Sequence, residues 1–78
     1  MTAVNVYVDL ITLLFYNSPS FSVDDVVEVI GISKSMAWVA LREAVNINVV
    51  ERVGRGRYRV LARTERAFGW LKYLGLVE

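Results

Sequence analysis

Two helix-like patterns, VDDVVEVI at 23–30 and KSMAWVALREAVN at 34–46, stand only three residues apart, with Gly31-Ile32-Ser33 between them. One helix must end and another begin within that span. Gly31 supplies a residue that turns left-handed without a Cβ penalty, and Ser33 supplies a hydroxyl that caps the next helix. Upstream, Ser22 precedes its helix with Asp25 three residues on, and Asp24 and Asp25 suit the positive end of the helix dipole.

Two helices joined so tightly form a helix-turn-helix pattern, expected over about 22–46. In the first, Val23, Val26, Val27 and Ile30 make the buried stripe. In the second, Met36, Ala37, Ala40, Leu41, Ala44 and Val45 face inward, leaving Lys34, Ser35, Trp38, Val39 and Arg42 outside. Asn48 suits a left-handed residue closing that helix. The runs VVERV and RYRVL around Gly54-Arg55-Gly56 then give a β-hairpin signal over about 49–61. Tyr58 and Val60 share one face of its second strand, and Arg57 and Arg59 the other.

The flanks are apolar. Residues 3–16, AVNVYVDLITLLFY, predict a helix with only Asn5, Asp9 and Thr12 as a narrow polar strip, and NSPS at 17–20 reads as a turn. Thr64 precedes a last amphipathic segment, expected to be helical to about residue 75, in which Ala67, Phe68, Trp70, Leu71 and Leu74 cover a wide arc. Gly69 weakens that helix by about 1 kcal/mol relative to alanine, so packing must hold it.

Charge is divided along the chain. Residues 1–33 contain four acidic residues and no basic one, whereas from Lys34 onward nine basic residues stand against four glutamates, a sum of +5. Arg52, Arg55, Arg57 and Arg59 fall within eight positions of one another. That asymmetry inside a net charge of +1 describes a basic face, the electrostatic footprint that nucleic acid requires. With no cysteine and no histidine, zinc sites, thiol nucleophiles and imidazole bases are excluded, and no cofactor or metal is expected. The carboxylates are scattered and GRG is too short for a nucleotide-binding loop, so the reading is not that of an enzyme. The apolar run at 6–16 is shorter than the roughly 20 residues of a membrane helix, and no basic stretch precedes it as in a secretory signal. The expectation is a cytoplasmic protein without membrane contact.

In this order the residues resemble a known family. Gly31-Ile32-Ser33, Leu41 and Ile47 at buried positions, Val49-Val50-Glu51-Arg52 as an entering strand and Gly54-Arg55-Gly56-Arg57-Tyr58 as a tip look like the core of winged helix-turn-helix transcription regulators of the MarR and ArsR kind, over residues 22–62. Valine-rich minimal proteins of this type also resemble those of thermophilic archaea and their viruses. The resemblance implies a single α+β, mostly helical domain over 1–78, in the order α1-α2-α3-hairpin wing-α4. It further implies a double-stranded DNA partner, with the third helix in the major groove and the wing on the backbone or a neighbouring minor groove. Candidate DNA contacts are Ser33, Lys34, Ser35, Trp38, Val39, Arg42, Arg52, Arg55, Arg57 and Arg59. Arg42 suits a bidentate guanine contact, and Arg55 suits a narrow minor groove.

Trp38 and Val39 depart from the polar side chains usual at such positions. They suit either thymine methyl contacts or, for Trp38, packing back onto the first helix or the wing. The resemblance also places dimerisation on the terminal helices. Tyr7, Leu14, Phe15, Trp70, Tyr73, Leu74 and Val77 are the candidates, and Phe15, Tyr16, Trp70, Tyr73, Leu74 and Val77 make up apolar surface in excess of what a small core absorbs. The leading function is a homodimeric, sequence-selective regulator of transcription. An architectural DNA-coating protein and a winged helix used for protein interaction are the alternatives.

Overall fold

The computed structural model describes residues 3–75, so Val77 lies outside the described residues. Its elements run α1 (Ala3–Leu14), β1 (Phe21–Ser22), α2 (Val23–Ile30), α3 (Lys34–Asn46), β2 (Val50–Gly54), β3 (Arg57–Val60) and α4 (Glu65–Tyr73). This is a small α+β fold, mostly helical, with one three-stranded antiparallel sheet in the order β1-β3-β2.

The helix boundaries follow their local chemistry. At the start of α2 the Ser22 hydroxyl accepts from the Asp25 backbone N–H, and the Asp25 carboxylate accepts from the Ser22 backbone N–H, a reciprocal capping box. Gly31 ends α2 with φ +78°, and its N–H returns to the Val27 carbonyl. Ser33 caps α3 through the Met36 N–H. Asn48 takes φ +65° beyond the end of α3, in the left-handed region that asparagine enters more readily than most residues.

The core is built where α1 packs on α3, with α2 and the sheet closing it. Val8, Ile11, Phe21, Val26, Ala37, Ala40, Leu41, Ala44 and Val50 are all but sealed from solvent. Alanines on α3 let α1 approach closely. An aromatic row then ties the sheet to α1: Phe15 stacks on Phe21 with centroids 4.5 Å apart, and Phe21 meets Tyr58 at 6.1 Å.

Five expectations change. The first helix ends at Leu14 rather than residue 16, because Phe15 begins the turn whose carbonyl accepts from Ser18 N–H. Phe15 is not excess surface: it is 7% exposed and part of the aromatic row. A short strand, β1, stands where the sequence showed no strand pattern, and pairs Phe21 with Tyr58 and Ser22 with Arg57. Val45 and Ile47 are exposed rather than inward, since Ile47 is already the cap residue past α3.

The fifth change concerns Asp9 and Thr12, which are no solvent strip but completely buried. They meet the start of α4. The Thr64 hydroxyl donates to Asp9 Oδ1 at 2.8 Å, Arg66 Nε donates to Asp9 Oδ2 at 2.7 Å, and the Thr64 N–H donates to Thr12 Oγ1 at 3.3 Å. Thr12 Oγ1 itself donates to the Asp9 carbonyl at 2.9 Å. Thr64 also caps α4 by accepting from the Ala67 N–H. Ala67 is the buried residue of α4, and the helix leans on α1 more than on any other element. Its position is therefore fixed by a polar seam more than by apolar area, consistent with the weakness that Gly69 builds into it. Contact with the Asp9 carboxylate holds the Arg66 guanidinium pKa above its ordinary value, so arginine does not titrate here at any working pH.

Candidate nucleic-acid interface

On α3, positions 34, 35, 38, 39 and 42 fall opposite the alanine face that packs on α1, and the structure keeps them outward. Ser33, Lys34 and Ser35 are exposed at the N-terminal end, where backbone N–H groups are free to meet an anion. Lys34 lies 3.5 Å from Asp24 in a pair exposed on both sides, which is worth little and is easily exchanged. Val39 is half-buried. Trp38 is 45% exposed, so it neither closes onto the core nor stands free of it.

Between this face and the hairpin runs a groove of about 290 Å³, lined by Trp38, Leu41, Arg42, Val45, Arg52 and Tyr58. It brings together three residues expected from the sequence at separate places: Trp38 and Arg42 from α3, and Arg52 from β2. How Arg52 arrives there depends on a β-bulge. Arg52 is opposite Tyr58 and Glu51 opposite Arg59, whereas at the end of the hairpin Gly54 is opposite Arg57, so Val53 is the extra residue. Directly opposed residues share a face, which puts Arg52 with Tyr58 and Val60 on the side of α3.

Arg57 and Arg59 take the other side of the sheet, and both are engaged there. Arg57 donates to the Ser20 hydroxyl at 2.7 Å, and Arg59 pairs with Glu51. The arginine cluster is thus divided by the sheet rather than gathered on one face. Arg55 sits exposed in the hairpin turn, next to Gly56 at φ +68°. Among the described residues Arg42, Arg52 and Arg55 form no ion pair; Arg52 makes only a 3.4 Å hydrogen bond to the Gly54 carbonyl.

Two arginines elsewhere have partners in the fold, whereas Lys72 on α4 forms no ion pair among the described residues. Arg66 holds Asp9, and the Arg63 guanidinium lies 3.9 Å over the Tyr16 ring. Of the residues expected at a dimer interface, Tyr7 is half-buried against the core, while Leu14, Trp70, Tyr73 and Leu74 remain exposed, Tyr73 at 89% and Leu74 at 63%. Leu41 and Tyr58 are buried and form the floor of the groove, and Val45, expected inward, lines it as an exposed side chain; the register around Val53 is what brings Arg52 to the same face as Tyr58.

Among the described residues no cluster of carboxylates is placed to hold a metal ion, and no helix is long and apolar enough to cross a membrane. No family model matches this chain, and no curated protein or solved structure is significantly similar to it.

Proposed function

We propose that this chain is a winged helix-turn-helix protein that binds double-stranded DNA as a homodimer and regulates transcription. In this reading α2 and α3 are the helix pair, α3 enters the major groove, and the β2–β3 hairpin is the wing on the adjacent backbone. The observation that carries it is a set of three arginines without an ion pair among the described residues, Arg42, Arg52 and Arg55, placed along α3 and the hairpin, whereas Arg57, Arg59, Arg63 and Arg66 are engaged within the protein. Arg42 and Arg52 beside the groove and Arg55 in the hairpin turn are stabilised by phosphate, and its binding releases condensed counterions. Arg42 is the candidate for guanine, and Trp38 with Val39 for thymine methyl groups.

Few hydrogen-bonding side chains stand on the outer face of α3, and this favours a second reading, an architectural protein with little sequence preference. The homodimer rests on Leu14 of α1, Trp70 and Tyr73 of α4 and the cap residue Leu74, exposed apolar side chains that a second copy would cover. Two copies related by a two-fold axis would present their α3 helices about 34 Å apart.

Fluorescence anisotropy of a labelled mixed-sequence duplex at several salt concentrations tests the reading. Affinity that falls linearly with log salt is expected, and competition by defined sequences then separates the selective regulator from the architectural protein. Absence of binding at low salt rejects both.

A further inference from the structure

We infer that the groove between α3 and the hairpin is a stacking site for an unpaired nucleobase, so that the protein prefers DNA carrying one to a fully paired duplex. This rests on the nucleic-acid reading above and adds the form of strand recognised. The groove has an apolar floor and wall of Leu41, Val45 and Tyr58, an aromatic side chain at its edge in Trp38, and a guanidinium from each of its two walls, Arg42 on α3 and Arg52 on β2. Its volume of about 290 Å³ sits at the lower limit of pockets that hold small ligands, roughly 300–1,000 Å³, which suits one ring system and little more.

A ligand for such a site is flat and apolar in its middle and anionic on both sides. A nucleotide within a strand has that form: a base with a π-face, flanked by phosphates. The two arginines have no carboxylate partner among the described residues, so phosphates there displace water and, at Arg52, at most the long hydrogen bond to the Gly54 carbonyl. Trp38, at 45% exposure, offers indole surface for stacking that the core has not covered. A paired base cannot reach it, because its faces are covered by its neighbours and its removal from the stack is costly; a bulged or bubbled base has already left the stack. The groove contributes few hydrogen-bonding groups to read the base edge, so any base is accepted, and thymine with least polar surface to cover.

The test compares two labelled duplexes of one sequence, one fully paired and one with a single unpaired thymine, against wild type, Trp38→Phe and Trp38→Leu. Trp38→Leu keeps apolar bulk and removes the π-face; circular dichroism checks that both variants fold. The expected result is tighter binding of the unpaired probe by wild type and by Trp38→Phe, with the preference lost, by about ten-fold in affinity, in Trp38→Leu. A probe with 2-aminopurine at the unpaired position is expected to lose fluorescence on binding wild type but not Trp38→Leu. Equal affinity of wild type for the two duplexes, or a preference that survives Trp38→Leu, overturns the inference while leaving duplex binding intact. Failure of both duplexes to bind at low salt overturns the inference and the DNA reading together.

Discussion

The seam between α1 and α4 and the groove between α3 and the hairpin are both lined by arginine beside aromatic or apolar surface, yet their polar groups are used differently. At the seam Asp9 and Thr12 are matched inside the protein: Asp9 takes Thr64 and Arg66, and Thr12 takes the Thr64 N–H, while Arg63 lies over the Tyr16 ring with its buried Nε left without a hydrogen-bond partner. At the groove Arg42 and Arg52 flank Trp38 and Tyr58 and form no ion pair among the described residues. The same side-chain chemistry thus fixes a helix in one place and is left open to a partner in the other. Composition does not separate the two uses; partners do. A buried carboxylate that loses its partners is strongly destabilising, whereas an exposed guanidinium without one costs the fold almost nothing.

Removing the core aromatic side chain that lies between the two regions should have the largest effect. Phe21 is sealed between Phe15 of the α1 turn and Tyr58 of the groove floor, so Phe21→Ala is expected to cost about 3–5 kcal/mol in chemical denaturation, enough to unfold much of so small a domain. Thr64→Val acts on the seam alone. It removes the cap of α4 and one bond to Asp9, for about 1–2 kcal/mol, and amide exchange should rise across α4 while α3 and the hairpin stay protected. Equal loss of protection in α3 would show that the two regions do not separate.

Gly31→Ala places a Cβ at φ +78° where nothing crowds it, so only backbone strain of about 1–2 kcal/mol is expected by denaturation, with the α3 face unchanged. The smallest stability effect belongs to Leu74→Glu. At 63% exposure it should leave folding within about 0.5 kcal/mol but shift sedimentation from dimer toward monomer; an unchanged sedimentation coefficient removes α4 from the interface.

This division also explains which parts were legible in the sequence. Caps act over three or four residues, so Ser22 with Asp25, Gly31, Ser33 and Thr64 could be read directly, and with them α2, α3 and α4, while α1 was legible from its apolar run. The seam could not. Asp9 and Thr12 form a polar strip on a helix whether they face water or Thr64 and Arg66, and the answering residues lie more than fifty positions away. Phe15 is ambiguous in the same way, because its partner Phe21 belongs to a strand of two residues, too short for any alternation to show.

The groove was hidden by a single residue. Counting back from Gly54 opposite Arg57 in an unbroken register would set Arg52 against Arg59 and gather the arginines on one face. The bulge at Val53 shifts the pairing by one, sends Arg52 to Tyr58 and leaves Arg57 and Arg59 on the far side. Glycine and arginine around a turn announce a hairpin but do not specify where it bulges.

The most direct test of this partition is the salt dependence of duplex affinity in two double variants, Arg42→Gln/Arg52→Gln and Arg57→Gln/Arg59→Gln. Each unpaired arginine that meets a phosphate contributes about 0.9 to the slope of log affinity against log salt. The account predicts a slope shallower by about one for the groove pair, from Arg52 on the backbone, with a further loss of affinity from Arg42 at guanine, and a slope close to wild type for the pair already held by Ser20 and Glu51. The reverse order, or equal losses in both variants, would contradict the claim that a partner within the fold is what separates the structural arginines from those that bind DNA.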